Sequence, residues 1–354
     1  MRLLKSFRPA ATGLLRSCLA LVVTAASVSC INAQERPAFD SSYYQTYPRH
    51  ITARVFGSQK YTRLSMDGKG ASSLRYIPNN PFAVGVGVTY GIATLNLGIG
   101  LASSTDKEEK GKTKSLDLQT HIYARSWVID LYGQFYKGYY LAPQGKAAAG
   151  NDYYIRPDMK VQMFGASAYH LFNSERFSYR APFIQNEWQK KSAGSFLLGG
   201  ELYAGSVKSD SALGPSTVAN DFSANGIRRV NFIEFGPGAG YAYTLVLQQH
   251  WFITASGTVN ADIGFTKEIV SAGKEKQTSI SPNFTLRGVA GYNSDNWSAT
   301  VSWVENQMNF NGSNDRDYLL RTGNLRFTVA KRFLPGRKLK KKLKVIDNLP
   351  VQAP

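Results

Sequence analysis

The chain has 354 residues, with 42 Lys and Arg against 24 Asp and Glu, and it is rich in Tyr (20), Phe (19) and Gly (32). Its mean hydropathy is −0.26, and past residue 33 no uncharged apolar run is long enough for a membrane helix, which excludes a helical membrane protein. Eight basic residues lie between Lys331 and Lys344 with no acidic residue among them, so the pI of 9.8 reflects a tail rather than a nucleic-acid-binding domain.

The first element reads as an export signal over residues 1–33. Arg2, Lys5, Arg8 and Arg16 form a basic start without acidic residues, and Cys18 to Ser29 is an apolar stretch too short to span a bilayer. Cleavage after Ala33 removes Cys18 and Cys30 and leaves a mature chain without cysteine, hence without disulfides or thiolate ligands. Val28-Ser29-Cys30 leaves open a lipidated cysteine as the alternative.

Residues 34–49 are expected to be an N-terminal periplasmic segment, followed by a barrel over 50–333 and a basic periplasmic tail over 334–354. Strict alternation carries the barrel. Phe82, Val84, Val86, Val88 and Tyr90 alternate with small or polar residues, as do Leu95, Leu97, Ile99 and Leu101. Leu116, Leu118 and Ile122 oppose Asp117, Gln119 and His121. The longest run is His250 to Thr266, with Trp251, Ile253, Val259, Ile263 and Phe265 on one face and Thr254, Ser256, Asn260 and Asp262 on the other. Such length suits a tilted crossing of the ~25 Å apolar band of a membrane barrel, and ordinary strands run shorter.

Trp297 to Trp303 alternates likewise, and similar stretches cover about 50–58, 127–137, 158–172, 176–187, 195–207, 230–247, 279–292 and 317–333. That count is thirteen. Single-chain bacterial barrels have even numbers, so the expectation is an all-β, antiparallel transmembrane β-barrel of the outer-membrane type with 12 to 14 strands. Short connections (91–92, near 126, 173–175, 248–249, 293–295) alternate with longer polar ones (59–80, 103–114, 138–157, 208–229, 267–278, 306–316), and the alternation fails between 185 and 230. An aqueous two-sheet sandwich is the other fold weighed.

The runs LRYIPNNP (74–81), SWVIDLYGQFYKGYYL (126–141), RFSYRAPFIQNEWQKKSAGSFLLGGELY (from Arg176) and GPGAGYAYTL (236–245) resemble the bacterial outer-membrane domain-of-unknown-function 4421 family. The resemblance covers about 40–333 and implies a barrel in the outer membrane of a Gram-negative bacterium. It carries over no catalytic residue, ligand or activity.

Parity points Asp117, His121, Arg125, Asp130, Arg180, Glu201, Asp262 and Arg287 into the lumen. They read either as a selectivity lining or as a salt-bridge network inside a filled barrel. The inward glycines Gly85, Gly87, Gly98 and Gly100 favour something packed inside. Asp117 and His121 share a strand face, yet the mature chain has no GxSxG, HExxH or P-loop, so no catalytic residue, metal site or cofactor is assigned. The tryptophans read as an interfacial girdle, with a sugar-stacking platform as the alternative.

In the tail, Arg337, Lys338, Lys340, Lys341, Lys342 and Lys344 are candidates for binding cell-wall polymer, inner-leaflet phospholipid or an envelope protein, and Leu339, Leu343 and Ile346 have helical spacing. Phe333 resembles the terminal aromatic residue read by the outer-membrane assembly machinery. Membrane lipid and that machinery are the other expected partners. Two functions remain: a passive pore for small polar solutes, or a filled barrel that anchors an envelope partner through its loops or tail.

Overall fold

The computed structural model describes residues 39–67, 73–91, 93–101, 109–148, 150–221, 226–314 and 316–347. The signal, with Cys18 and Cys30, lies outside the described residues. In chain order the elements are β1 (Tyr44–Thr46), β2 (Ile51–Asp67), β3 (Leu74–Ile77), β4 (Phe82–Tyr90), β5 (Ala93–Leu101), β6 (Lys114–Tyr123), β7 (Trp127–Ala142) and β8 (Tyr154–Leu171). Then come α1 (Arg180–Ile184), β9 (Glu187–Gln189), β10 (Ala193–Lys208), β11 (Arg229–Leu247), β12 (Trp251–Val270), β13 (Gly273–Asn293), β14 (Trp297–Asn311), β15 (Asp317–Phe333) and α2 (Arg337–Asp347).

The barrel is antiparallel and closed. Its ring runs β2, β15, β14, β13, β12, β11, β10, β8, β7, β3 and back to β2, ten strands in all. Three more lie outside the ring: β4 pairs with the first half of β2, β5 with β4, and β6 with β7. The four-residue β3 closes the circle, pairing Leu64–Met66 of β2 and Tyr140–Ala142 of β7. Beside the turns, therefore, twelve strands stand in order from β2 and β4 round to β6 and β7, and among the described residues β5 and β6 share no pairing.

Alternation in the sequence becomes inside and outside in the wall. Along β12, Thr254, Ser256, Asn260 and Asp262 are buried, while Trp251, Ile253, Val259 and Phe265 are exposed. The same holds round the ring, where Phe164, Phe196, Leu202, Phe235, Val301 and Phe327 face outward. A polar-in, apolar-out wall inverts a water-soluble core and suits lipid, where ring closure pairs strand edges that would otherwise stay open. This inversion removes the sandwich.

The sheet has thirteen strands, but the set differs from the one counted in the sequence. Residues 176–187, expected as a strand, leave the wall and hold α1. Pro182 lacks the N–H that a central strand needs. In compensation, Leu74–Ile77, expected in a loop, is β3. The expected long loop 267–278 is a tight turn between Val270 and Gly273, because the charged ends of β12 and β13 continue the hairpin beyond the apolar band. Among the inward glycines, Gly85 has a plain steric reason: a Cβ there would collide with the Leu97 carbonyl of β5 and the Phe56 ring of β2.

Candidate functional site: a filled lumen bridged by charge

At the short-turn end, the segment 172–192 between β8 and β10 folds into the barrel. Phe177, Tyr179 and Ile184 pack against Tyr123, Val128, Tyr169, Leu171 and Leu197 of the wall. The short helix α1 leaves carbonyls without helical partners at its end, and wall arginines supply the donors. Arg54 donates to the Ile184 carbonyl at 2.9 Å, and Arg332, 2% exposed, donates to that of Gln185 at 2.7 Å. Arg180 and Asn186 donate to the Gly91 carbonyl at 2.6 and 3.1 Å. Trp188 Nε1 reaches the Gln249 carbonyl at 2.7 Å. The segment is a plug held through side-chain-to-backbone bonds on several sides.

The N-terminal segment lies over it. β1 pairs with β9, Tyr44 opposite Gln189, and the Tyr47 hydroxyl donates to Asp295 at 2.6 Å. Burial, reinforced by that hydrogen bond, pushes the Tyr47 phenol above its ordinary pKa, so it stays protonated as the donor. A hollow of about 440 Å³ lies beside it on the same end, lined by Tyr47, Arg49, His50, Asp295 and Leu334 among others.

The opposite end is filled by apolar and aromatic packing. Leu64, Met66, Tyr139, Met163, Tyr203 and Phe310 belong to one buried cluster, together with Leu213 and Ile227 from the 209–228 connection. Phe232 stacks on Phe310 with ring centroids 4.2 Å apart, and the Tyr76 hydroxyl donates to the Leu213 carbonyl at 2.5 Å. Aromatic rings fill such a space densely at low conformational cost.

Between the two fillings lies a charged layer. Asp130 of β7 has no solvent contact, and Arg287 of β13 pairs with it. The two strands are five apart in a ring of ten, so this ion pair crosses the lumen from wall to wall. The other Asp130 oxygen accepts His121 Nδ1 at 2.5 Å. Arg287 also donates to the Tyr123 hydroxyl at 2.9 Å and lies 5.8 Å from the Tyr179 ring centre, tying the plug to the bridge. Three carboxylates, Glu201, Glu234 and Asp262, sit on the adjacent strands β10, β11 and β12, and Asn283 donates to Asp262 at 2.8 Å and to Glu234 at 3.2 Å.

The residues expected in the lumen thus divide. Asp130, Arg287, Glu201 and Asp262 line it. His121 pairs with its cross-strand neighbour Asp130, not with Asp117. Asp117 instead accepts the Tyr136 hydroxyl at 2.8 Å and lies 3.4 Å from Lys60. Two are corrections. Arg180 is in the plug, since its segment is no strand, and lies 3.6 Å from Glu187. Arg125 follows the end of β6 at a turn, where it stacks 5.1 Å from the Phe39 ring centre. Arg54, Glu234, Asn283 and Arg332 were missed, although Val230, Phe232 and Glu234 alternate with Ile233 and Phe235 and could have flagged Glu234. Of the tail candidates, Arg337, Lys338, Lys340, Lys341 and Lys342 are exposed on α2, and the side chain of Lys344 lies outside the described set. Among the described residues no group of His, Cys, Asp or Glu is arranged to hold a metal ion.

The family model described as a domain of unknown function (DUF4421) matches residues 38–333. The chain belongs to the DUF4421 family. The run from Gln185 to Glu201 that carried the resemblance is the plug's exit and the start of β10 in this DUF4421 barrel. No curated protein sequence matches the chain.

Solved structures similar to this DUF4421 chain include the outer membrane protease OmpT from Escherichia coli, at 11% identity and a TM-score of 0.36, covering 81% of this chain and 97% of that one. The translocator domain of the autotransporter NalP from Neisseria meningitidis is similar at 8% identity and a TM-score of 0.32, covering 91% and 98%. The COG4313 outer membrane channel from Pseudomonas putida F1 is similar at 10% identity and a TM-score of 0.24, covering 84% and 100%. These likenesses concern barrel architecture alone.

Proposed function

We propose that this DUF4421 barrel is a structural and interaction protein of the Gram-negative outer membrane, a filled platform that holds an envelope partner on its turn side. The residues 1–33 are its cleaved export signal, and Phe333, opposite Ile51 in the closing pair, is the residue read by the assembly machinery. The observation that carries the reading is the Arg287–Asp130 pair across the lumen, with a plug beneath it and an apolar core above. A passive pore needs a continuous wet path, and breaking a buried ion pair to make one costs about 3–5 kcal/mol. The reading includes no catalytic step.

The turn side is favoured because the chain's additions gather there: the segment 39–50 paired to the plug, the hollow beside Arg49, and α2. The test is a photocrosslinking residue at exposed Arg49, compared in living cells with one at exposed Asp210 on the loop side. A discrete adduct from position 49 that is absent from position 210 is expected. Adducts only from position 210 would move the partner to the other face and sink the turn-side platform.

A further inference from the structure

Helix α2 cannot be stable on its own account. It has no acidic residue in its first turn, where the helix dipole wants negative charge, and Arg337 and Lys338 occupy that turn instead. Lys338 and Lys342, and Arg337 and Lys341, are like charges one turn apart, which repel. An anionic surface outside the helix would relieve both penalties.

The position of the helix says which surface. Only Leu334, Pro335 and Gly336 separate α2 from Phe333, the end of the last wall strand. The outward apolar stripe of β15, Leu325, Phe327 and Phe333, runs on into exposed Leu334 and Leu339, and helical spacing aligns Leu339 with Leu343. At the same level exposed Trp297 carries Lys331 5.0 Å from its ring centre, the mark of a membrane–water boundary.

We infer that α2 lies along the bilayer surface at the turn end, its basic residues on the phosphates of anionic phospholipids and the Leu339 face at the acyl boundary. The inference rests on the membrane-spanning reading and deepens it by naming the tail's partner. A cell-wall polymer would supply anions but no apolar layer for the continuous stripe. An amphipathic basic helix at this depth binds by both terms together.

The test uses the mature chain, which has no native cysteine once 1–33 is removed, refolded into vesicles with identical leaflets so that insertion direction does not matter. Leu343→Cys carries an environment-sensitive fluorophore. Heat-modifiable gel migration of each sample reports the folded barrel, and conductance tests the filled lumen separately. In phosphatidylcholine containing phosphatidylglycerol at low salt, the emission is expected to shift blue and to be quenched by nitroxide-labelled lipid. In pure phosphatidylcholine both effects shrink. Each Lys→Gln change among Lys338, Lys340, Lys341 and Lys342 weakens the anionic-lipid response about fivefold, and high salt weakens it further.

A label that stays water-like in the anionic vesicles around a folded barrel overturns the proposal. So does a shift produced by soluble cell-wall fragments and not by phosphatidylglycerol. A shift that is identical in neutral vesicles and in the Gln variants would place the helix against protein and overturn it as well.

Discussion

Replacing Arg287 by methionine removes the cation from a carboxylate that has no contact with solvent. Asp130 would keep only His121, through Nδ1 at 2.5 Å, and the Tyr123 hydroxyl would lose the Arg287 donor at 2.9 Å. A buried charge left without its main partner costs about 3–5 kcal/mol, while the methionine keeps most of the packing volume against Tyr179. The double change Arg287→Met, Asp130→Leu removes both charges, and replacing a buried pair by apolar residues is often neutral or stabilising. It should therefore recover most of the loss. The assay is equilibrium urea unfolding in phospholipid vesicles, followed by tryptophan fluorescence and heat-modifiable migration. A single mutant within about 1 kcal/mol of the parent, or a double mutant no better than the single, would refute a desolvated bridge.

Three further outcomes follow from the same geometry. Phe177→Ala deletes a fully buried ring between plug and wall and should cost about 3–5 kcal/mol, read by the same unfolding assay, with a loss below about 1 kcal/mol showing an undocked plug. Val259→Arg puts a charge on the outward face of β12, about midway along its apolar band, and should lower stability in the bilayer by about 2–4 kcal/mol; an unchanged midpoint would mean that this face does not meet lipid. Gly85→Val should destabilise by collision with the Leu97 carbonyl and the Phe56 ring, and Phe56→Ala in the same chain should relieve only the part due to the ring.

The wall was legible because lipid outside and polar groups inside impose a period of two on every strand, as from Trp251 to Phe265. Its upper extent was not. The hairpin around Ser271 has charged residues, among them Lys267, Glu268, Lys274 and Glu275, beyond the apolar band, so its strands resembled a polar loop. The plug was misread for the opposite reason: Phe177, Tyr179, Ala181 and Phe183 alternate with Ser178, Arg180 and Pro182, mimicking a strand. Only Pro182 argued against it. Asp130 and Arg287 were both readable as inward, but their pairing was not, since 157 residues separate them and the contact depends on two strands standing opposite in the ring. Arg54 and Arg332 look like ordinary strand-end charges until α1 brings its carbonyls to them.

The most direct measurement is single-channel conductance of the refolded mature barrel in a planar bilayer, beside a variant in which residues 176–186 are replaced by a short flexible turn. The filled-lumen account predicts a silent parent and a variant that stays silent as well, because the apolar core around Leu213, Ile227 and Phe310 still closes the opposite end. Steady, ion-selective openings from the unmodified barrel would contradict it and restore the pore.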